Sequence, residues 1–514
     1  MRRSACLIFL FVEALAHGQG FNTRYDDLGH GLQQTAFGIE CTVDGWVVVS
    51  GSDDLDSIGP GVWFTHASTV LRRLDEVGNT IWEKRAWRAG HGVLPGWANC
   101  SDTIPGGGYV VGGASEDTLG NDEVYLMRFD VNGDTLWTRV FGDPNLNYYY
   151  IGRQVKRTPD GGFVIAGDTD QNGSVDGFVL RTDATGNEVW RQFFGFSSTL
   201  LDGFLSVDLG PAGSYYGSGT SETTPLNGDH YVARINSVGG LMWQRRWGGP
   251  YSEGATQLMT LNDGQPLIIS GCSFATGNTA MRPYLAKLDS ADGSIIWEKQ
   301  YGAIFNSTTF FAGKEAPNGD LIAAGVSYAN SGINNAQQGL LLRTTSTGDS
   351  LWMFNYYYQD DVITTGQGRF YDVLPTPDGG FIAAGAAYNP VGMGYPAGYS
   401  QDTWVVKVDG LGCIVPGCNS VGITEQATNL LDAFSIYPNP AHDNATMQLS
   451  LPPSVSGALE ITLVAMDGRV VHQERLAGGS TSLTLSLAHL SPGIYYVHIA
   501  QGGKWLTGGK LVVE

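Results

Sequence analysis

Apolar and polar positions alternate along most of this chain, and the alternation comes in copies. In the third copy, Gly152–Thr158 reads as a strand and Pro159-Asp160-Gly161-Gly162 as a tight turn. Phe163–Gly167 is a β-branched and aromatic second strand, Gly177–Asp183 a third and Glu188–Phe194 a fourth. Proline presets φ, aspartate accepts local hydrogen bonds and glycine tolerates positive φ, so the turn residues agree with the strands they separate. Copies of the second strand recur at Trp46–Gly51, Tyr109–Gly113, Ser214–Gly219, Leu267–Gly271, Leu321–Gly325 and Phe381–Gly385, which makes seven units. No convincing helical period interrupts them.

The fourth strand carries the most regular mark. Trp82, Trp137, Trp190, Trp243, Trp297 and Trp352 are spaced by 55, 53, 53, 54 and 55 residues, each after a D-x-x-G turn and usually four residues before another aromatic. Four-stranded units repeated at such a period predict a β-propeller, with the tryptophan filling the wedge between adjacent sheets. The seventh copy ends at Gly412 without a fourth strand, whereas Phe21-Asn22-Thr23-Arg24-Tyr25 has the aromatic spacing of one. The N-terminal strand is therefore expected to complete the seventh unit and close the ring, which removes its open edges.

After Cys418 the repeat is gone. Six short alternating strands between Ala445 and Val513 predict a small antiparallel, Ig-like sandwich. The expected fold is all-β: residues 1–20 a signal peptide, 21–413 a seven-bladed propeller closed by its N-terminal strand, 414–431 a linker and 432–514 the sandwich.

Composition changes this picture only in part. Gly at 72 residues suits a turn-rich β protein, and Lys+Arg 29 against Asp+Glu 50 gives a net charge of −21. That acidity disfavours nucleic acid and anionic membranes as partners. Arg2 and Arg3, the apolar stretch Ala5–Ala16 and Ala16-His17-Gly18 have the order of a secretory signal. No later stretch approaches the ~20 apolar residues of a membrane span. Outside the signal, five cysteines remain, an odd number that leaves at least one free thiol or intermolecular bond. Cys413 and Cys418 bracket a turn where the ring closes and are expected to pair.

The C-terminal segment resembles a known family. Tyr437-Pro438-Asn439-Pro440, then Met466-Asp467-Gly468-Arg469-Val470-Val471, then Leu490-Ser491-Pro492-Gly493-Ile494-Tyr495, and a terminal Lys510-Leu511-Val512-Val513 are similar to the type A C-terminal sorting domain of the type IX secretion system. The resemblance implies a Bacteroidota-type envelope, the type IX machinery as partner, passage through the periplasm, and a cargo secreted or attached at the outer surface. The repeats themselves resemble uncharacterised secreted propellers that carry such domains, a family that implies no activity. Leu288–Trp297 also resembles the tryptophan-docking motif of quinoprotein dehydrogenases, but those carry eight blades.

Candidate chemistry is sparse. Asp168-Thr169-Asp170-Gln171-Asn172-Gly173-Ser174-Val175-Asp176 fits D-x-D-x-N-G-x-x-D, and oxygens at alternate positions around a glycine turn can wrap calcium. Asp168, Asp170, Asn172 and Asp176 are the expected ligands. No nucleophile elbow, zinc-protease motif or phosphate loop occurs. Adjacent carboxylates at Asp53-Asp54 and Asp360-Asp361 are the available glycosidase-like pairs. The second-to-third loops and the connections between units share one face and vary, which is where binding residues collect on a rigid scaffold. That face is expected to present Trp63, Trp97, Tyr149, Tyr251, Tyr357 and Tyr395 to a glycan or protein. The expected role is a non-catalytic binding or adhesion module. The alternatives are a polysaccharide- or peptide-acting hydrolase or lyase with its site in the central cleft, and a structural surface protein.

Overall fold

The computed structural model describes residues 20–25, 33–53, 67–142, 149–254, 257–274, 281–302, 308–330, 335–358, 368–388, 401–414, 434–449, 457–465, 470–501 and 504–514. Two compact units divide the chain, 1–416 and 417–514. Residues 1–19 of the predicted signal segment, most of the predicted linker, Trp63, Tyr395, Cys418 and Gly468 lie outside the described residues.

The first unit is built from antiparallel sheets, seven among the described residues, numbered here in chain order. Sheet 3 is representative: Tyr150–Arg157, Phe163–Thr169, Asp176–Thr182 and Glu188–Phe194 pair in sequence as a meander. The first strands of successive sheets touch one another in a closed cycle, with Gly368–Pro375 of sheet 7 against Gln34–Thr42 of sheet 1. The first strands therefore line the centre and the fourth strands form the rim. The arrangement is propeller-like. Each interface between sheets has its own apolar core, such as Val164, Ala166, Val179, Phe204, Val207 and Tyr231 between sheets 3 and 4.

Sheet 7 takes its fourth strand from the start of the chain. Phe21–Tyr25 pairs antiparallel with Gln401–Val408, Phe21 opposite Lys407 and Tyr25 opposite Thr403. Cys413 is disulfide-bonded at the end of this sheet, while Cys41, Cys100 and Cys272 are free thiols.

The repeated residues make the joints. A Cβ added to Gly133, Gly186, Gly293 or Gly348 would lie 2.6–2.9 Å from the ring of Trp82, Trp137, Trp243 or Trp297 of the preceding sheet. Only glycine admits that approach, and all four also have positive φ. The indole nitrogens of Trp190, Trp243 and Trp352 donate to Ser237, Ser290 and Gly410 carbonyls in the same next-sheet turns, at 3.0–3.1 Å. The aromatic four residues on adds a second clasp: Tyr301 Oη donates to Gly348 O and Tyr356 Oη to Gly412 O. A cation near the end of each third strand ties the first-to-second turn, as Arg181 does to Asp160 and Lys407 to Asp378.

Sheet 2 departs from the expected meander. Its first strand is split into His91–Pro95 and Ser101–Thr103, both paired with Tyr109–Asp117. Between the halves the chain turns through Ala98 and Asn99, both at positive φ (47° and 53°). Gly96 permits it, since a Cβ there would strike Arg153 O at 2.0 Å.

In the second unit, a three-stranded sheet (Phe434–Tyr437, Asn444–Leu449, Ser482–Ser486) and a four-stranded sheet (Val470–Leu476, Leu459–Ala465, Gly493–Gln501, Lys504–Val513) share one buried core that includes Met447, Ile461, Leu485, Val497 and Leu511. No described helix is long and apolar enough to cross a membrane.

Candidate functional site

The first strands, which line the centre, carry a recurring bulge. In sheets 1, 3, 4, 6 and 7 the pairing of first and second strands slips by one residue, leaving Phe37, Arg153, Leu205, Phe311 and Tyr371 as the extra residue of a bulge. A bulge re-aims the side chain it carries. Phe37, Arg153 and Tyr371 turn into a cavity of about 330 Å³ at the mouth of the central channel. The cavity lies at the starts of the first strands, and Gln401, at the start of a third strand, is on its wall. It therefore opens on the variable-loop face.

The split in sheet 2 closes the cavity from below. Trp97 lies 5.0 Å from Tyr371 at 76°, 6.0 Å from Phe311 at 90°, and 6.1 Å from Phe37. Ala98 is fully buried among Phe311, Val326 and Tyr371. The segment from Trp97 to Asn99 is thus a plug made by one sheet and gripped by bulge residues of others.

Polar groups ring this aromatic floor. Arg369 Nη1 donates to Tyr371 Oη at 3.2 Å, and Thr35 Oγ1 donates to Gln401 Oε1 at 3.0 Å. Arg153 is pinned by Asp168, Nε to Oδ1 at 2.6 Å and Nη2 to Oδ2 at 3.1 Å. Behind that pair, burial pushes the Asp122 carboxyl up to about 6, against the pull of Arg153.

Beyond the plug the channel is lined by charge. Lys156 and Lys314, from sheets 3 and 6, both donate to Asn99 Oδ1, at 3.0 and 3.4 Å. Ser101 Oγ donates to Glu40 Oε1 at 2.8 Å. Burial, with Asp102 adding to it, pushes Glu40 up to about 7. Several of these groups also bind the backbone of the next sheet: Asp372 accepts from Ile39 N, Asp102 from Arg157 N and Asp208 from Thr260 N. This layer is a structural collar as well as a charged one.

Of the predicted face residues, Trp97 reaches the cavity. Tyr149 sits beside it, its N–H donated to Asp170 Oδ1 at 2.9 Å and its carbonyl accepting from Thr169 Oγ1. Tyr251 and Tyr357 do not line it, and the Tyr357 carbonyl accepts from Asn22 Nδ2 on the ring-closing strand. Sequence reading missed Phe37, Arg153, Arg369 and Tyr371. The bulges that aim three of them depend on strand register, which no single copy displays. The available signal was arginine on two first strands, Arg153 and Arg369; at the bulge position of Arg153 other copies carry Phe37, Leu205, Phe311 and Tyr371.

The candidate calcium loop spends its oxygens on the protein. Asp168 receives Arg153, Asp170 receives Tyr149 N–H, and Asn172 Nδ2 donates to Asp176 Oδ2 at 2.9 Å. Among the described residues no group of three or more His, Cys, Asp or Glu is placed to hold a metal ion. The carboxylate pair Asp53-Asp54 is described only at Asp53, which accepts from Gln33 N at 3.1 Å, and Asp360-Asp361 lies outside the described residues. No carboxylate is among the described residues lining the cavity.

In the second unit the quoted motifs lock the terminal strand. Asn439 Nδ2 donates to Lys510 O at 2.7 Å, and Val512 N donates to Asn439 Oδ1 at 2.9 Å. Tyr437-Pro438 and Asn439-Pro440 are cis. Tyr495 Oη, two residues past Gly493, returns to Ser491 O at 2.6 Å.

Comparison with known proteins separates the two units. Among solved structures, the chain is similar to a quinohemoprotein alcohol dehydrogenase from Comamonas testosteroni, with 11% identity, a TM-score of 0.38, and 92% of this chain and 79% of that one covered. It is also similar to the extracellular domain of a putative one-component system from B. thetaiotaomicron, with 12% identity, a TM-score of 0.28, and 94% and 68% covered. At such TM-scores these likenesses carry nothing about what the chain binds or does. No curated protein matches it. The family described as a secretion system C-terminal sorting domain matches residues 435–514. The C-terminal segment of this chain is a sorting domain of that family, the signal for export by the type IX secretion system.

Proposed function

We propose that this chain is an exported, seven-bladed β-propeller that binds a glycan at or beyond the cell surface, without catalysis. On this reading residues 1–20 are a signal peptide, 21–413 the propeller, 414–431 a linker and 432–514 an Ig-like sorting sandwich. The observation that carries it is the cavity at the channel mouth. Bulge residues and a plug found in sheet 2 alone among the described sheets build an aromatic floor with a polar rim. A concave site of this size, mostly apolar with a few placed polar groups, suits a small ligand or the end of a chain more than a flat protein surface.

Rigid first strands, tied to one another through Asp372, Asp102 and Asp208, hold the site in shape before any ligand arrives, which cuts the ordering cost of binding. The test is a glycan array probed with the purified chain and with Gln401→Trp, which places a bulky ring on the cavity wall. Glycan binding by the wild type that the variant loses supports the reading. Equal binding by both, or none by either, overturns it.

A further inference from the structure

The cavity is chemically lopsided. The chain as a whole carries a net charge of −21, yet the charged side chains among the described residues lining the cavity are Arg153 and Arg369. They approach from different walls, one on the first strand of sheet 3 and one on that of sheet 7. Asp168 holds two nitrogens of Arg153 from one side, so that guanidinium is fixed in orientation. Arg369 is set against the phenol of Tyr371. Arginine offers a planar fork of donors that matches the two oxygens of a carboxylate. Trp97, with the buried Tyr371 packed against it, supplies a ring face for the apolar side of a sugar, and Thr35 and Gln401 a polar edge for its hydroxyls. The plug from Trp97 to Asn99 closes the floor, with Ala98 fully buried, so a polymer cannot thread through at that point. A cavity of about 330 Å³ is at the small end of the ~300–1,000 Å³ typical of ligand sites.

Resting on the glycan-binding reading above, we infer that this cavity recognises the terminal residue of a glycan when that residue is a carboxylated sugar, with Arg369 taking the carboxylate and Trp97 the ring. The linkage points outward, toward the variable-loop face, and the rest of the glycan lies over that face.

Calorimetric titration of the full chain tests this with three probes: an oligosaccharide ending in glucuronic acid, the same oligosaccharide ending in glucose, and the same oligosaccharide ending in a sulfated sugar. A charge-assisted hydrogen bond contributes roughly 1.5–3 kcal/mol, so the acidic probe should bind about 10- to 100-fold more tightly. Arg369→Gln should erase that preference, and Arg369→Lys should keep part of it, with the melting temperature of each variant recorded as a check on folding. A sulfated terminus preferred over the carboxylated one would overturn the carboxylate assignment. Equal affinity for the acidic and neutral probes would overturn the inference while leaving the glycan-binding reading intact. Binding of no probe would overturn the inference, and the glycan array then decides the broader reading separately.

Discussion

Phe21 packs on Gly78, with a Cβ at Gly78 only 2.8 Å from the Phe21 ring. That is the relation of Trp82 to Gly133 and Trp137 to Gly186, reproduced across the ring closure by a residue 57 positions upstream. Tyr25 completes it, its hydroxyl donating to Gly78 O at 2.7 Å as Tyr301 and Tyr356 do at their own joints. The closing strand therefore copies the clasp of the repeat with phenylalanine in place of tryptophan. Phe21→Ala removes the ring from a partly buried site and should cost about 2–4 kcal/mol, near the low end for large-to-small aromatic substitutions. Denaturant unfolding of the propeller transition measures it, and a loss below about 0.5 kcal/mol would mean that the clasp does not hold the ring shut.

Gly186 is the reciprocal test at an internal joint. Its φ is +82° and an added Cβ would lie 2.8 Å from Trp137. Gly186→Ala should cost about 1–3 kcal/mol, the sum of a left-handed backbone and a displaced indole. Gly173, also at positive φ but with nothing within 4 Å of its Cβ, is the control. There Gly173→Ala should cost about 1 kcal/mol or less, from the backbone alone.

Glu40 makes stability depend on pH. Its folded value is raised to about 7 by burial, above the ~4.3 of an unfolded glutamate. The folded state thus holds the proton more tightly, and the stabilisation this brings is complete below about pH 4 and lost as pH rises through 7. Glu40→Gln keeps an acceptor for Ser101 and removes the titration. The variant should match the wild type near pH 4 and exceed it in melting temperature at pH 8. A variant less stable than the wild type at pH 8 would contradict the assignment.

Both carboxylate oxygens of Asp168 are engaged by Arg153, so turning them onto a calcium ion would mean giving up that pair. As folded, millimolar calcium should leave the melting temperature unchanged, and EDTA likewise. A rise of several degrees on adding calcium would show that the loop can rearrange into a cage, at the expense of the wall that holds Arg153.

Asn439 ties the Y-P-N-P segment to the terminal strand through Lys510 and Val512. Asn439→Ala should destabilise the sorting domain by about 1–2 kcal/mol, the range for losing hydrogen bonds at a partly exposed site. Export in the native host should fall with it, read as the ratio of cell-retained to exported protein. Unchanged export with the domain measurably destabilised would separate recognition by the secretion machinery from the fold of this strand.

How much of this was legible in the sequence follows from what each residue does. Trp82 and its five counterparts are visible because every joint between sheets presents the same wedge, so the same residue recurs at the same spacing. Phe21–Tyr25 was legible because closure has to restore the missing fourth strand, and its pairing with Gln401–Val408 bears that out. The split first strand of sheet 2 was not, because the spacing of copies is preserved while Ala98 and Asn99 turn the chain into the channel. Arg153 and Tyr371 were not, because a bulge is a property of two strands in register. Trp97 was found for its exposure on a variable loop, and the structure gives it a different setting, as the head of a plug gripped by Phe37, Phe311 and Tyr371.

The central claim is that the channel mouth, and not the repeat, carries the function. The most direct measurement is glycan-array binding of the wild-type chain beside Gln401→Trp, with the melting temperatures of both recorded. The wild type should bind a defined set of glycans that the variant no longer retains, with the variant melting within a few degrees of the wild type. Identical binding by a folded variant would place the ligand elsewhere on the molecule and contradict the central claim.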